Sequence, residues 1–419
     1  MNFDISKALN HPQNGFIAEI TPKPEQIQKL RAIREEVRNE LRNKFTELSS
    51  SFSDINGQMH YVSNASTLFL SEDLKKLSSE QKKSLQKLKP KFASQGSFVY
   101  KTMNSPCQAP QQMDLDDGIY LPIDMFEDKP LISKDLFFNY VDNTLLNLAK
   151  RKGWGFSDKK NTCARLIIDD LTHVDVPLYA VPKQRHEAMF EKVALNAFDS
   201  TSNYLEARTR LEPNEVNLAL RNEESWTVSD PAVLNDYFKQ NFKFYKELVG
   251  GEDVCRRVCR YLKAWRDHAF ESGGPSSVAL MTCVVLSFQE MSRSRSMDKL
   301  SDGEALLECV KCLPSQLLNG VPNDAERDKG ELLFPKKEMS KSEIDEIYES
   351  AIELYQSLQN AIIHAKTKSD AIIKLQKSFG SRFPSLLDLL TSTSSVAAVI
   401  RSQPAKAQPQ PNVVNQDAG

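Results

Sequence analysis

Asp114-Leu115-Asp116-Asp117-Gly118 begins seventeen residues after Ser97 of the pair Gly96-Ser97. If the run is a strand, alternate side chains share a face, so Asp114 and Asp116 project together and Leu115 turns to the core. Two adjacent carboxylates repel unless a cation sits between them. A pair of hard oxygen ligands with open positions suits Mg²⁺, which keeps its remaining sites for water and phosphate oxygens. A small serine freed by a preceding glycine can approach a phosphate closely. The chemistry implied is nucleotidyl transfer. By itself, however, an Asp-x-Asp-Asp-Gly run is most often a solvated turn, and an EF-hand loop is excluded by spacing. Counted from Asp114, the glycine is fifth rather than sixth and no glutamate is twelfth.

A third carboxylate from a neighbouring strand would decide between these readings. Ala164 to Ile168 is an apolar strand pattern, followed by Thr172-His173-Val174-Asp175-Val176-Pro177-Leu178-Tyr179. In the second run Val174, Val176 and Leu178 take one face, and His173, Asp175 and Pro177 the other. Asp175 is therefore an acid on a strand built for burial, a position that needs a partner or a metal. Asp114, Asp116 and Asp175 are read as a metal-holding catalytic triad.

Phosphate contacts are expected from the second half of the chain. Arg256, Arg260 and Lys263 share a helical face. Gly273-Gly274-Pro275-Ser276-Ser277 ends one helix and begins another, and amides with a hydroxyl at a helix start can hold an anion. Lys263 and Ser277 are a candidate phosphate clamp, with helix capping as the alternative role for the serine. Tyr100 is read either as a stacking surface for a base or as a half-buried strand residue.

The elements that must position these groups follow from periodicity. A chain of 419 residues implies two domains. Residues 1–23 read as irregular. A helix is expected from Pro24 to about Ser51, with Ile27, Leu30, Ile33, Val37, Leu41 and Phe45 as its apolar stripe and Arg31, Arg34, Arg38 and Arg42 opposite. Residues 71–89 read as one Lys-rich helix. Strands dominate from Phe92 to about Tyr179, interrupted by a helix over 134–152, and helices return between Lys183 and Glu206. From Phe238 the pattern is helical to Ile400, and 402–419 is a Pro/Gln/Asn-rich tail expected to be disordered. The fold class is α+β: a catalytic lobe over 24–237, a helical lobe over 238–401, and the site in the cleft between them.

Composition narrows the setting. A net charge of −2 offers no blanket attraction to a long polyanion, so no nucleic-acid activator is expected. No stretch reaches the length of a membrane span, and no basic region followed by an apolar run opens the chain. Seven scattered cysteines fit reduced thiols and a cytoplasmic location. Cys309-x-x-Cys312 and Cys255-x₃-Cys259 lack a nearby histidine and read as ordinary buried cysteines rather than a zinc site.

Gln95-Gly96-Ser97-Phe98, Gln112 to Pro122 and Thr172 to Pro177 resemble the bacterial cyclic-GMP-AMP-synthase-like nucleotidyltransferases, particularly their cholera-type branch. Asn217 to Arg221, Trp226 to Pro231, Lys263 to Asp267 and Gly273 to Ser277 extend the likeness over nearly the whole chain. The resemblance implies a polymerase-β-like palm with a helical lobe, and an enzyme that joins ATP and GTP into a 3′,3′-linked cyclic dinucleotide with release of pyrophosphate. The alternatives are another cyclic di-purine product or a linear oligonucleotide. It also implies two Mg²⁺ ions, or Mn²⁺, on Asp114, Asp116 and Asp175. Gln95, Gly96, Ser97, Lys263 and Ser277 would hold the donor triphosphate. Tyr100, Arg165 and Ser229 would contact the nucleotides, and Asp328 would read a guanine edge, with Asp324 competing for that role.

Arg34, Arg38, Arg42 and Tyr120 correspond to a regulatory pocket for folate-like ligands. Ala93 stands where the cholera-type branch has a tryptophan, which leaves a solvated face or docking surface as the other reading. The resemblance further implies a second messenger of anti-phage defence and an effector such as a phospholipase. It also implies a ubiquitin-activation-like enzyme that conjugates the chain through Gly419.

Overall fold

The computed structural model describes residues 3–65, 67–122, 130–182, 186–187, 216–221 and 227–393. The chain opens with β1 (Phe3–Asp4), α1 (Ser6–Asn10) and α2 (Phe16–Ile20). These elements correct the reading of 1–23 as irregular. They are too short to show a helical period, so their structure comes from tertiary packing. Phe3, Ile5, Ala8, Leu9, Phe16 and Ile20 all join the core of the helical lobe.

The spine helix α3 (Pro24–Ser49) begins with proline at its first turn and buries Leu30, Ile33, Val37, Leu41, Phe45 and Leu48. Next comes the hairpin β2 (Phe52–Ile55) and β3 (Gln58–Tyr61). Asn56 and Gly57 both take positive φ, the turn a tight hairpin requires. The expected Lys-rich helix is two helices, α4 (Ser71–Lys76) and α5 (Ser79–Gln86). Ser78 divides them: its side chain accepts from the Gln81 amide at 3.1 Å, and Gln81 Oε1 accepts from the Ser78 amide at 3.0 Å.

The catalytic lobe is built on β4 (Lys91–Gln95), β5 (Met113–Pro122), β6 (Gly155–Ser157), β7 (Cys163–Asp169), β8 (Thr172–Val181), β9 (Asn217–Leu218) and β10 (Thr227–Val228). A short helix, α6 (Gly96–Tyr100), follows β4, and α7 (Pro130–Lys152) precedes β6. β5 and β8 are the centre of the sheet and run parallel. β4 flanks β5 antiparallel, and β7 and β9 share the far edge of β8. Leu115, Ile119, Val174, Val176 and Leu178 face α3 and α7, in one core with Phe45, Phe137 and Leu145.

The helical lobe comprises α8 (Pro231–Leu248), α9 (Val254–Ala269), α10 (Ser277–Ser294), α11 (Asp302–Asn319), α12 (Lys341–Gln359) and α13 (Lys368–Phe379). It begins at 231, not 238, because Asp230 caps α8 by accepting from the Ala232 amide at 3.0 Å and Pro231 opens the helix. It does not run helical to 400. Gly380 at φ +72° stops α13, and Thr391–Ser392 form a strand that pairs with β1. Residues 394–419, including Gly419, and most of 183–206 lie outside the described residues. Among the described residues no helix is long and apolar enough to cross a membrane. Cys255 and Cys309 are fully buried, and burial pushes both thiols well up.

Phe16 shows how closely the N-terminal segment belongs to this lobe. It is fully buried among Tyr261, Phe379 and Phe383, with ring centroids at 5.9, 4.9 and 5.6 Å. Phe16→Ala is expected to cost about 3–5 kcal/mol. Chemical denaturation checks this, and a loss under 1 kcal/mol would mean the segment is only draped on the lobe.

Candidate active site

Register places the chemistry. In the parallel pairing of β5 and β8, Asp114 lies beside His173 and Asp116 beside Asp175. All four point away from the apolar face, as strand alternation dictates. Asp114, His173 and Asp175 bring ligand atoms within 4.8 Å of one another. Asp116 is half-buried between the other two acids. Burial, then the charges of Asp114 and Asp175, hold its carboxyl well above the usual range. Asp175 goes the other way. Burial would raise it, but Arg165 and Lys160 outweigh burial and hold it low. Arg165 donates from Nε at 2.7 Å and Nη2 at 2.8 Å, and Lys160 Nζ at 2.6 Å.

Gly96 makes the approach from β4 feasible. It takes φ +69°, and a Cβ there would stand 2.5 Å from Asp116 Oδ2. The helix it opens carries Ser97 onto a cleft of about 410 Å³ that reaches α9 and α10. Gly96, Ser97, Tyr100, Asp114, Asp116, Lys263 and Ser277 all line this cleft. Gln95, Arg165, Asp175 and Ser229 are not on its wall. Gln95 is buried; its Oε1 accepts from the Tyr179 hydroxyl at 3.1 Å while its Nε2 has no partner. Ser229 donates its amide to the Val216 carbonyl at 2.9 Å. The Asp328 side chain lies outside the described residues. Asp324 accepts from the Tyr237 hydroxyl at 2.7 Å and pairs with Arg327.

Several readings are corrected. Ser276, not Ser277, caps α10, accepting from the Ala279 amide at 3.1 Å. That frees the Ser277 hydroxyl, which accepts from Arg266 Nη1 at 3.0 Å. Tyr100 is neither a strand residue nor exposed: it ends α6 and packs on Phe238, ring centroids 5.3 Å apart. Arg256 and Arg260, which share the helical face of Lys263, are engaged elsewhere. Arg256 pairs with Asp253 over the Phe242 ring, and Arg260 donates to Asn104 Oδ1 at 3.0 Å and Thr21 Oγ1 at 2.8 Å.

The arginine stripe on α3 divides: Arg31 and Arg42 are exposed, whereas Arg34 and Arg38 are half-buried. Arg38 donates two 2.6 Å bonds to Asp117, which is buried on the reverse of β5. Arg42 lies over the Phe92 ring, and Arg34 over Phe98. Tyr120 is 1% exposed and stacked on Tyr179 at 4.8 Å, so it presents no pocket surface.

Gln112, His173, Lys160 and Arg266 were not singled out by sequence reasoning. His173 was legible, since it stands two residues before Asp175 on the same strand face. Arg266, three residues after Lys263, shares its helical side. Lys160 arrives from the turn between β6 and β7, where no periodicity marks it.

The comparisons with known proteins bear on the same elements. Residues 90–179 match the nucleotidyltransferase domain described as cyclic GMP-AMP synthase DncV-like, and 252–392 match the cyclic GMP-AMP synthase C-terminal domain. A cyclic GMP-AMP synthase of Escherichia coli (strain TW11681) is 33% identical over 99% of each chain. The chain belongs to the cyclic GMP-AMP synthase family. The Vibrio cholerae cyclic GMP-AMP synthase is 29% identical over 97% of this chain and 95% of its own. The crystal structure of the Vibrio cholerae family member with the linear intermediate 5′ pppA(3′,5′)pG is similar at a TM-score of 0.75. It is 28% identical, covering 94% of this chain and all of that one. The protein is thus a nucleotidyltransferase of the cyclic GMP-AMP synthase type, with the nucleotidyltransferase fold of that family.

Lys263 is wholly buried, and its Nζ donates to the Thr102 carbonyl at 2.7 Å. Burial, then the neighbouring Arg266 charge, pushes its pKa down to about 8. If Lys263 meets a triphosphate, affinity is level below about pH 8 and falls above it, by up to about tenfold per pH unit. Stability moves oppositely. The unfolded chain holds this proton more tightly, so stability rises from about pH 8 toward the ordinary lysine range. Equilibrium nucleotide binding from pH 7 to 9.5 checks this, and Lys263→Met should abolish the slope.

Proposed function

We propose that this enzyme joins ATP and GTP into 3′,3′-cyclic GMP-AMP. Each of two 3′-hydroxyls attacks the α-phosphorus of the other nucleotide, and each attack expels one pyrophosphate. The observation that carries the reading is the meeting of Asp114 and Asp116 with Lys263 and Ser277 on one cleft. It is supported by the Vibrio cholerae relative solved with a linear adenosine–guanosine intermediate.

Asp114, Asp116 and Asp175 fit a divalent-metal site. Asp116 stands half-buried between two like charges, and Asp114 Oδ1 faces His173 Nε2 at 2.8 Å without a directed hydrogen bond. We assign these three to two Mg²⁺ ions, with Mn²⁺ as a substitute. Bound there, the ions supply Lewis acidity to the attacking hydroxyl and the departing pyrophosphate.

The chain's own groups do the rest. Gly96 leaves room for Asp116, and Ser97 offers its hydroxyl to the donor phosphates. Lys263 brings positive charge from the floor of the cleft. Arg266 keeps the Ser277 hydroxyl turned toward the same space. Arg165 and Lys160 hold Asp175 ionised, so its charge is ready for a cation.

Labelled ATP and GTP with Mg²⁺ should yield a phosphatase-resistant product of cyclic GMP-AMP mass. No product from any purine pair would overturn the reading. Asp116→Asn should abolish turnover yet leave the fold at least as stable at neutral pH, because it removes a half-buried acid held between like charges.

The resemblance extends the proposal to the cytoplasm and to anti-phage signalling through a product-activated effector such as a phospholipase. It also extends it to conjugation at Gly419 by a ubiquitin-activation-like enzyme. Deleting Gly419 should block conjugation and spare product formation; conjugation of the deleted chain would remove that part.

A further inference from the structure

The acids and lysine leave one buried group on the same sheet face without a role. His173 is 7% exposed, beside Asp114 in the register, and its Nε2 lies 2.8 Å from Asp114 Oδ1. Despite that short separation neither atom makes a directed hydrogen bond. The other ring nitrogen is committed: Nδ1 lies 3.0 Å from Gln112 Oε1. Gln112 cannot reverse its amide cheaply, because its Nε2 donates to the Asp169 carbonyl at 3.0 Å. The network therefore puts a proton on Nδ1 and leaves Nε2 to meet the carboxylate oxygen either through a proton of its own, as an ion pair, or through a shared cation.

With Nε2 unprotonated the two lone pairs repel, and a metal ion shared by both atoms resolves the conflict. The spacing fits. Two neighbouring ligands of an octahedral ion, each about 2.0–2.1 Å from it, stand about 2.8–3.0 Å apart. The arrangement behind the ring fits as well, since a metal-bound histidine usually gives its other N–H to a carbonyl or carboxylate that orients it.

We propose that His173 Nε2 is a metal ligand beside Asp114, oriented by Gln112, and that this nitrogen tilts the site toward Mn²⁺ over Mg²⁺. Imidazole suits transition metals, whereas Mg²⁺ prefers an all-oxygen shell. The inference rests on the reading of Asp114 and Asp116 as metal-holding acids, and the test separates the two.

Mn²⁺ is added to the full-length protein, alone and then with 2′,3′-dideoxy-ATP, which lacks the attacking hydroxyl. Electron spin-echo spectroscopy reads nitrogen coupled to the ion. The expected result is a ¹⁴N modulation that changes on ¹⁵N-histidine labelling of the unaltered chain and disappears in His173→Gln. In that variant Mn²⁺ affinity should fall about 10- to 100-fold, and the preference for Mn²⁺ over Mg²⁺ in competition should shrink. Gln112→Leu should weaken the same modulation. Mn²⁺ bound in an Asp114- and Asp116-dependent way with no nitrogen modulation would overturn the role of His173 and leave the carboxylate site standing. Mn²⁺ binding unchanged in Asp114→Asn and Asp116→Asn would overturn both. The labelling measurement needs no substitution, so it stands even if His173→Gln folds poorly.

Discussion

The parallel register between β5 and β8 is the constraint on which the rest depends. Once Asp116 is set beside Asp175 and Asp114 beside His173, the alternation of side chains decides everything nearby. One face of the strand pair collects three acids and an imidazole. The other collects Leu115, Ile119, Val174, Val176 and Leu178 and packs on α3 and α7. A slip of one residue would exchange the two sets, placing carboxylates in the core and aliphatic side chains in the cleft. The apolar face therefore enforces the geometry of the polar one.

Charge is sorted by the same alternation. The acids of the cleft face stand close together, and Asp175 is neutralised from within by Arg165 and Lys160. Asp117, one residue out of phase, is buried on the reverse face, where Arg38 of the spine helix meets it with two bonds and Ser94 adds a third at 2.8 Å. That pair docks α3 on the sheet. It explains why Arg38, in an arginine row that looks solvated along the helix, is spent inside the lobe.

Much of this was legible in residue order. The strand faces of β5 and β8, the spine helix and the glycine-freed serine follow from periodicity and from the few residue types that tolerate those positions. Other parts were not. The segment before Pro24 is too short to carry a period, so only its packing against Tyr261 and Phe379 reveals it as structured. The β2–β3 hairpin carries its signal in two residues alone, Asn56-Gly57, with short strands on either side. Lys160 reaches Asp175 from a turn, and the commitments of Arg256 and Arg260 depend on partners far away in the chain. Periodicity says which side of an element a residue occupies, but not whether that side meets solvent, substrate or another charge.

The placement of the N-terminal segment has a mechanical consequence. The described chain starts in the helical lobe, passes into the catalytic lobe just before α3, and returns at Asp230. Among the described residues the two lobes are thus joined by a pair of covalent tethers. Arg260 reinforces one tether by gripping Thr21 and the Ile20 carbonyl. Side-chain bonds cross beside these tethers: Gln111 Nε2 reaches the Asp267 carbonyl at 2.6 Å, and Arg382 Nη1 the Ser105 carbonyl at 3.2 Å. Lys263 itself holds the Thr102 carbonyl, so the lysine that faces the acids is also a latch between the lobes.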